Sequence, residues 1–195
     1  MKKRHDNETY QRLLDAASEQ FGTRGYKAVT LRDIGNALGM EHASLYYYAP
    51  GGKKQLYLDV MERSFLRHQE GIEAAIAQAG EDVRAQLKAV GRWLVSQPPM
   101  DMKGVIHTSS VEIGEEQSAR LSQLAYNALR QPLVKALAAA RKREEISQRN
   151  LDMAALAFVT LIEVVHGIPV RMNAAQMDAY IDEVIEMLLM GWVGR

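Results

Sequence analysis

Apolar residues in this 195-residue chain recur at intervals of three and four almost from end to end, and no long stretch alternates apolar with polar as a half-buried strand requires. Positions three and four apart share one face of a helix, whereas the side chains of a strand change face at every residue. The chain is therefore expected to be all-α. Tyr10, Leu13, Leu14, Ala17 and Phe21 make one such face, and Gly25 is placed to end that helix. Thr30, followed three residues later by Asp33, is a helix-start signal, with Val29 and Ile34 set around it as a hydrophobic staple. It opens a short helix over 31–38, after which Gly39 permits a tight turn into a second short helix over 41–47, held by packing through Leu45. Pro50-Gly51-Gly52 then breaks the chain, and 53–78 reads as one long helix.

Further helices are expected over 81–96, 117–143, 151–167 and 175–192, with a short element near 105–113. Pro132 lacks the amide that an interior helical position needs, so the helix over 117–143 should kink near its middle.

Charge and composition remove several function classes. Lys and Arg number 24 against 24 Asp and Glu, so the chain is no bulk polycation for nucleic acid. Residues 1–54, however, hold nine basic and six acidic residues, which leaves room for a locally basic module. With no Cys, a disulfide scaffold, a thiolate zinc site and a cysteine nucleophile are all excluded. The longest charge-free apolar run, 153–162, is ten residues, so no membrane partner is expected, since a span needs about 20. Polar His5-Asp6-Asn7-Glu8 stands where a secretory signal would place its apolar core, and a cytoplasmic location is expected.

A short capped helix, a glycine turn and a second short helix within a three-helix head form the helix-turn-helix pattern that enters the major groove. The chemistry of the second helix agrees with it. Glu41, His42, Ser44, Tyr46, Tyr47 and Tyr48 supply polar and aromatic groups, and Lys53 and Lys54 open the next helix. Hydroxyls, lysines and helix N-termini hold phosphates, while short polar side chains near the start of a recognition helix read base edges.

Leu14-Asp15-Ala16-Ala17, Phe21-Gly22-Thr23-Arg24-Gly25-Tyr26, Val29 through Gly35, Leu38-Gly39-Met40, Ser44-Leu45-Tyr46-Tyr47 and Pro50 together resemble the TetR (tetracycline repressor) family of transcriptional regulators. The resemblance covers roughly residues 8–58. It implies a helix-turn-helix DNA-binding domain over 1–52, and a helical domain over 53–195 that binds a small-molecule effector and forms a homodimer through its last two helices. It also implies an inverted-repeat DNA operator, repression relieved by ligand, no cofactor and no enzyme activity. Residue by residue, it places Thr30 near a phosphate at the start of the second helix. Glu41, His42, Ala43 and Ser44 fall at the base-reading end of the recognition helix, Tyr47 on the DNA backbone and Lys53 on another phosphate, with Leu45 and Tyr46 as packing residues. The chain departs from the family pattern at Glu41, where a small polar residue is usual, at Ala49, where an aromatic is usual, and in the longer Gly51-Gly52 link.

In the helix over 151–167 almost every position is apolar, so it must be covered on more than one side, and a second chain is the natural cover. Met177, Ile181, Val184 and Leu188 offer the matching seam on the last helix. Thr160, Glu163 and His166 form a polar stripe on the apolar helix. Glu163 and His166 have the Glu-x-x-His spacing of di-iron bundles, but no second copy exists and no metal site is expected. Effector-binding candidates are Trp93, His107, Tyr126, Arg130, Glu163 and His166, with Tyr126 and Arg130 one helical turn apart. The alternative is an all-helical small-molecule-binding protein or enzyme with an incidental helix-turn-helix; the residue pattern from Thr30 to Lys53 favours the regulator.

Overall fold

The computed structural model describes residues 8–98, 110–167 and 172–192, the side chains of His42, Ser110, Val111, His166 and Trp192 excepted. Its helices run in the order α1 (Glu8–Ala28), α2 (Leu31–Ala37), α3 (His42–Tyr48), α4 (Gly52–Gln78), α5 (Val83–Ser96), α6 (Ser110–Ile113), α7 (Glu115–Ala125), α8 (Gln131–Lys142), α9 (Leu151–Glu163) and α10 (Ala174–Trp192). A π-helical turn, Tyr126–Arg130, joins α7 to α8, and a 3-10 turn, Val164–Gly167, follows α9. No strand occurs among the described residues. Two compact units form, residues 1–65 with 98–124 and residues 66–97 with 125–195, so that α4 contributes its first half to one and its second half to the other.

In the first unit the expected face of α1 is buried: Tyr10, Leu13, Leu14, Ala17 and Phe21 all lie in the core. Gly25 interrupts the helix with φ 74 and ψ 161, a conformation that only a residue without Cβ adopts cheaply. Thr30 and Asp33 close a capping box, the Thr30 hydroxyl accepting from the Asp33 amide at 3.1 Å and the Asp33 carboxylate accepting from the Thr30 amide at 2.8 Å. Val29 and Ile34 beside it are fully buried. Leu45 packs against Gly35, where an added Cβ would stand 3.0 Å from Leu45 Cδ2, so α2 and α3 approach closely. The first half of α4 belongs to this core through Leu56, Tyr57, Val60 and Phe65. Tyr57 meets Phe21 edge-on at 5.2 Å and Tyr26 at 4.8 Å. This packing carries the unit to Phe65, beyond the 52/53 division that the motif suggests. Tyr10 donates to Asp59 at 2.5 Å and Arg63 pairs with Asp15 at 2.8 Å, further tying α1 to α4. The short α6 adds buried Ile113 and a Glu112–Lys27 pair at 3.1 Å, and α7 adds an Arg120–Glu62 pair at 2.9 Å.

In the second unit α5 packs against α9 and α10. Gly91 permits the approach, since a Cβ there would lie 2.8 Å from Ile181 Cγ2. A ladder of ion pairs fixes the antiparallel register: Arg84 with Glu186, Lys88 with Asp182 at 2.6 Å, and Arg92 with Asp178 through two hydrogen bonds of 2.8 and 2.7 Å. The kink expected at Pro132 takes a particular form. The Gln131 amide donates to the Tyr126 carbonyl, five residues back, so the helix widens by one residue just before a proline that cannot donate and whose ring crowds the carbonyl four residues back.

Two of the four residues of the seam expected on the last helix meet their own chain instead. Ile181 and Val184 are buried inside their own chain, as are Ala155, Phe158 and Ile162 of α9, because α10 lays this face on α5 and α9. Among the described residues of α9, the 3-10 turn after it and α10, the large apolar side chains left exposed are Met153 on α9, Val164 in the turn, and Met187 and Met190 on α10.

Candidate nucleic-acid interface

Helix α3 is seven residues long, too short to persist without packing. Its anchor is Leu45, 1% exposed, with Ala49 buried just beyond it. Every residue that points away from that anchor is polar, small or aromatic: Ala43 and Ser44 are exposed, Tyr46 is 46% exposed and Tyr47 is 62% exposed. Tyr46 is therefore not the packing residue expected from the motif; one step from Leu45 on a helix turns a side chain by about 100°, away from the core. Tyr48 is half-buried and meets the Tyr47 ring edge-on at 5.1 Å, which braces Tyr47 in position. Glu41 is exposed at the N-cap of α3 and makes no side-chain capping bond, so its carboxylate is available at the helix start. His42 begins the helix; its side chain lies outside the described residues.

Thr30 is exposed at the start of α2. Its hydroxyl accepts the capping bond from Asp33 and, as a hydroxyl, retains a proton to donate. The same cap holds the Asp33 carboxyl below the usual range, chiefly through the Thr30 backbone amide and then the Thr30 side chain. Lys53 stands differently from the expected outward phosphate contact. It is half-buried, donates to the carbonyls of Tyr26 and Val29 at 3.0 Å each, and lies 4.1 Å from the centroid of the Tyr26 ring. Its neighbour Lys54 is exposed.

Of the residues proposed to meet an effector, Trp93, Tyr126, Arg130 and Glu163 lie in the second unit. Arg130 stacks over Tyr126 at 4.7 Å, as their one-turn spacing suggests, and reaches Asp152 at 3.4 Å. Both belong to the π-helical turn, a widening that sequence spacing does not reveal. Trp93 is half-exposed and seats its indole against Gly71, where a Cβ would come within 2.0 Å of the ring. Its edge meets His68 at 5.1 Å. His68, 1% exposed, was not among the candidates, yet it continues the buried row Met61, Phe65 and Ile72 at helical spacing, and that row is the signal that marks it. Glu163 is half-buried, and desolvation pushes its carboxyl up to about 7. Thr160 on the same stripe is exposed. The His166 side chain and all of His107 fall outside the described residues. Among the described residues no group of three or more His, Asp or Glu is placed to hold a metal ion, and no helix is long and apolar enough to cross a membrane.

A capped short helix, a glycine turn and a second short helix that buries one leucine and exposes its polar face define a helix-turn-helix DNA-binding head on an all-α protein. Residues 13–60 match the family described as bacterial regulatory proteins, tetR family. Over these residues the chain is thus similar to the TetR family. It is 38% identical over 78 residues to the HTH-type transcriptional repressor KstR2 of Rhodococcus jostii (strain RHA1), a match covering 40% of this chain and 37% of that protein's length. Among solved structures, AibR in complex with isovaleryl coenzyme A and operator DNA matches with a TM-score of 0.75, 18% identity and coverage of 93% and 98% of the two chains. A transcriptional regulator from Saccharomonospora viridis in complex with choline matches with a TM-score of 0.73, 19% identity and coverage of 96% and 99%. These likenesses extend the shared fold over nearly the whole chain.

Proposed function

We propose that this protein is a dimeric transcriptional repressor of the cytoplasm that binds an inverted-repeat operator through α2 and α3 and is released from it by a small-molecule effector. The observation that carries the reading is the polarity of α3, which buries Leu45 and turns Glu41, Ala43, Ser44 and Tyr47 outward. In this reading Glu41, His42, Ala43 and Ser44 face base edges, while Thr30 and Tyr47 hold phosphates. Residues 1–52 then carry DNA recognition, and 53–195 carry effector binding and dimerisation. The exposed apolar row Met153, Val164, Met187 and Met190 supports a partner copy covering α9 and α10.

The effector is assigned to the second unit, oriented by Trp93, Tyr126, Arg130 and Glu163, with His166 as a further candidate; the sequence candidate His107 lies outside the described residues. The ligands of the two neighbouring structures, a coenzyme A thioester and choline, are chemically unlike, so the fold leaves the effector's class open. A mainly apolar molecule with one or two polar groups suits the side chains at hand. Because α4 runs from the head into the second unit, a ligand that binds the DNA-incompetent arrangement more tightly has a mechanical route to the head.

Selection of genomic DNA fragments by the purified protein at near-physiological salt tests the central claim. An inverted repeat should be enriched; His42→Ala or Ser44→Ala should then change base preference, on the order of 1–3 kcal/mol for a true base contact, whereas Tyr47→Phe should weaken all duplexes alike. Enrichment of nothing above non-specific background would remove the regulator reading in favour of a helical small-molecule binder.

A further inference from the structure

The chain leaves α1 through Gly25 and enters α2 at Thr30, and the carbonyls in between lie past the point where helical amides can serve them. Side-chain cations serve three of them instead. Lys53 donates to the Tyr26 and Val29 carbonyls at 3.0 Å each, and Arg24 donates to the Ala28 carbonyl at 2.9 Å. Lys53 also lies 4.1 Å from the centroid of the Tyr26 ring, so two of its three donors and the face of its charge are committed to this link. Lysine is seldom drawn inward unless it is paired in this way. A cation at the C-terminal end of a helix is also favoured by the helix dipole.

We propose that Lys53 is a positioning residue: it clamps the α1–α2 link from the first turn of α4, and so sets the angle at which α2 and α3 are presented to DNA. The proposal rests on the DNA-binding reading and refines it. Val29, one of the clamped carbonyls, immediately precedes Thr30, whose capping box starts α2. Freedom at Val29 therefore passes directly into the direction of α2, and through the Gly35–Leu45 contact into α3. Lys54, one residue on, is exposed and is assigned the phosphate contact in its place.

Salt-dependent binding separates positioning from contact, because removing one lysine–phosphate interaction lowers the slope of log affinity against log salt by about 0.9. The probes are the duplex that the wild type selects from genomic fragments and a mixed-sequence duplex of equal length. Lys53→Met is expected to lower affinity for the selected duplex roughly tenfold, the order of one charge-assisted hydrogen bond, while leaving the mixed-sequence affinity and the salt slope unchanged. Lys54→Met should lower both affinities and the slope. A smaller folded fraction would lower both affinities in proportion, so the selectivity ratio reports positioning. If Lys53→Met lowers both affinities together and takes about 0.9 from the slope, Lys53 is a phosphate contact and the proposal is overturned. Lys53→Arg, which retains charge but not the compact ammonium, guards against a Met variant that fails to fold. It should lose selectivity under the proposal and keep it under the phosphate reading. A measurement without DNA tests the clamp itself: in wild-type protein the Lys53 ε-methylene protons should be shifted upfield by the Tyr26 ring and return to ordinary values in Tyr26→Leu. An unshifted wild-type resonance overturns the proposal. A wild type that binds DNA without sequence preference overturns the DNA reading while the ring-current signal still reports the clamp.

Discussion

Replacing Glu163 with Gln should stabilise the protein near neutral pH and do nothing in mild acid. Burial raises the Glu163 carboxyl from 4.5 to about 7, with desolvation as the cause. A carboxyl whose folded value lies above its unfolded value binds protons more tightly in the folded state, so ionising it opposes folding. The folded state carries no penalty below pH 4.5, and the penalty grows as pH rises from there to about 7. A shift of this size corresponds to about 3 kcal/mol at full desolvation, and to about 2 kcal/mol once the water that a half-buried side chain retains is allowed for. The assay is urea denaturation of wild type and Glu163→Gln at half-unit steps from pH 4.5 to 8, at fixed protein concentration. Taking the difference between the two proteins removes the contributions common to both. Wild type should lose stability relative to the variant as pH rises, with the gap levelling off a little above neutrality. A difference that stays constant across the range, or a Glu163 carbon resonance titrating near 4.5, would refute the claim that burial governs this group.

Three further outcomes are expected. Thr30→Ala removes one half of the α2 capping box and should cost about 1 kcal/mol in denaturant midpoint analysis, with Thr30→Ser close to wild type; an unchanged midpoint in Thr30→Ala would mean that α2 is held by packing alone. Gly71→Ala places a Cβ within 2.0 Å of the Trp93 ring, so the indole must move, at a cost of about 1–3 kcal/mol. Near-ultraviolet circular dichroism should change with it, and an unaltered spectrum at full stability would contradict the packing. Met187→Glu puts a carboxylate on the exposed apolar row of α10 and should convert a dimer to monomer in sedimentation at micromolar concentration, whereas Leu188, half-buried in its own chain, is the less selective position to test. A dimer that survives both Met187→Glu and Val164→Glu uses another surface.

What local chemistry dictates was legible in the sequence. The α1 face, the Gly25 stop, the Thr30–Asp33 cap, the Gly39 turn and the Leu45 anchor each depend on residues within a few positions of one another, where helical spacing and capping rules act directly. Pro132 announced a disruption for the same reason. Tertiary structure decided the remainder. Tyr46 was expected to pack and is exposed, because which face of a seven-residue helix is buried depends on the neighbouring α2 rather than on apolarity. Ile181 and Val184 carry a seam pattern that suits a partner chain or the protein's own α5 and α9 equally well; only the fold selects the second. Lys53 is the sharpest case. Its position in the motif suggests a phosphate, but its ammonium turns back to carbonyls 24 and 27 residues earlier in the chain, and no rule of spacing connects residues so far apart. His68 and Trp93 are brought together in the same way, by a glycine at 71 whose missing side chain makes the room. Helical periodicity specifies which side chains share a face, but only the packing of helices against one another determines what each face meets.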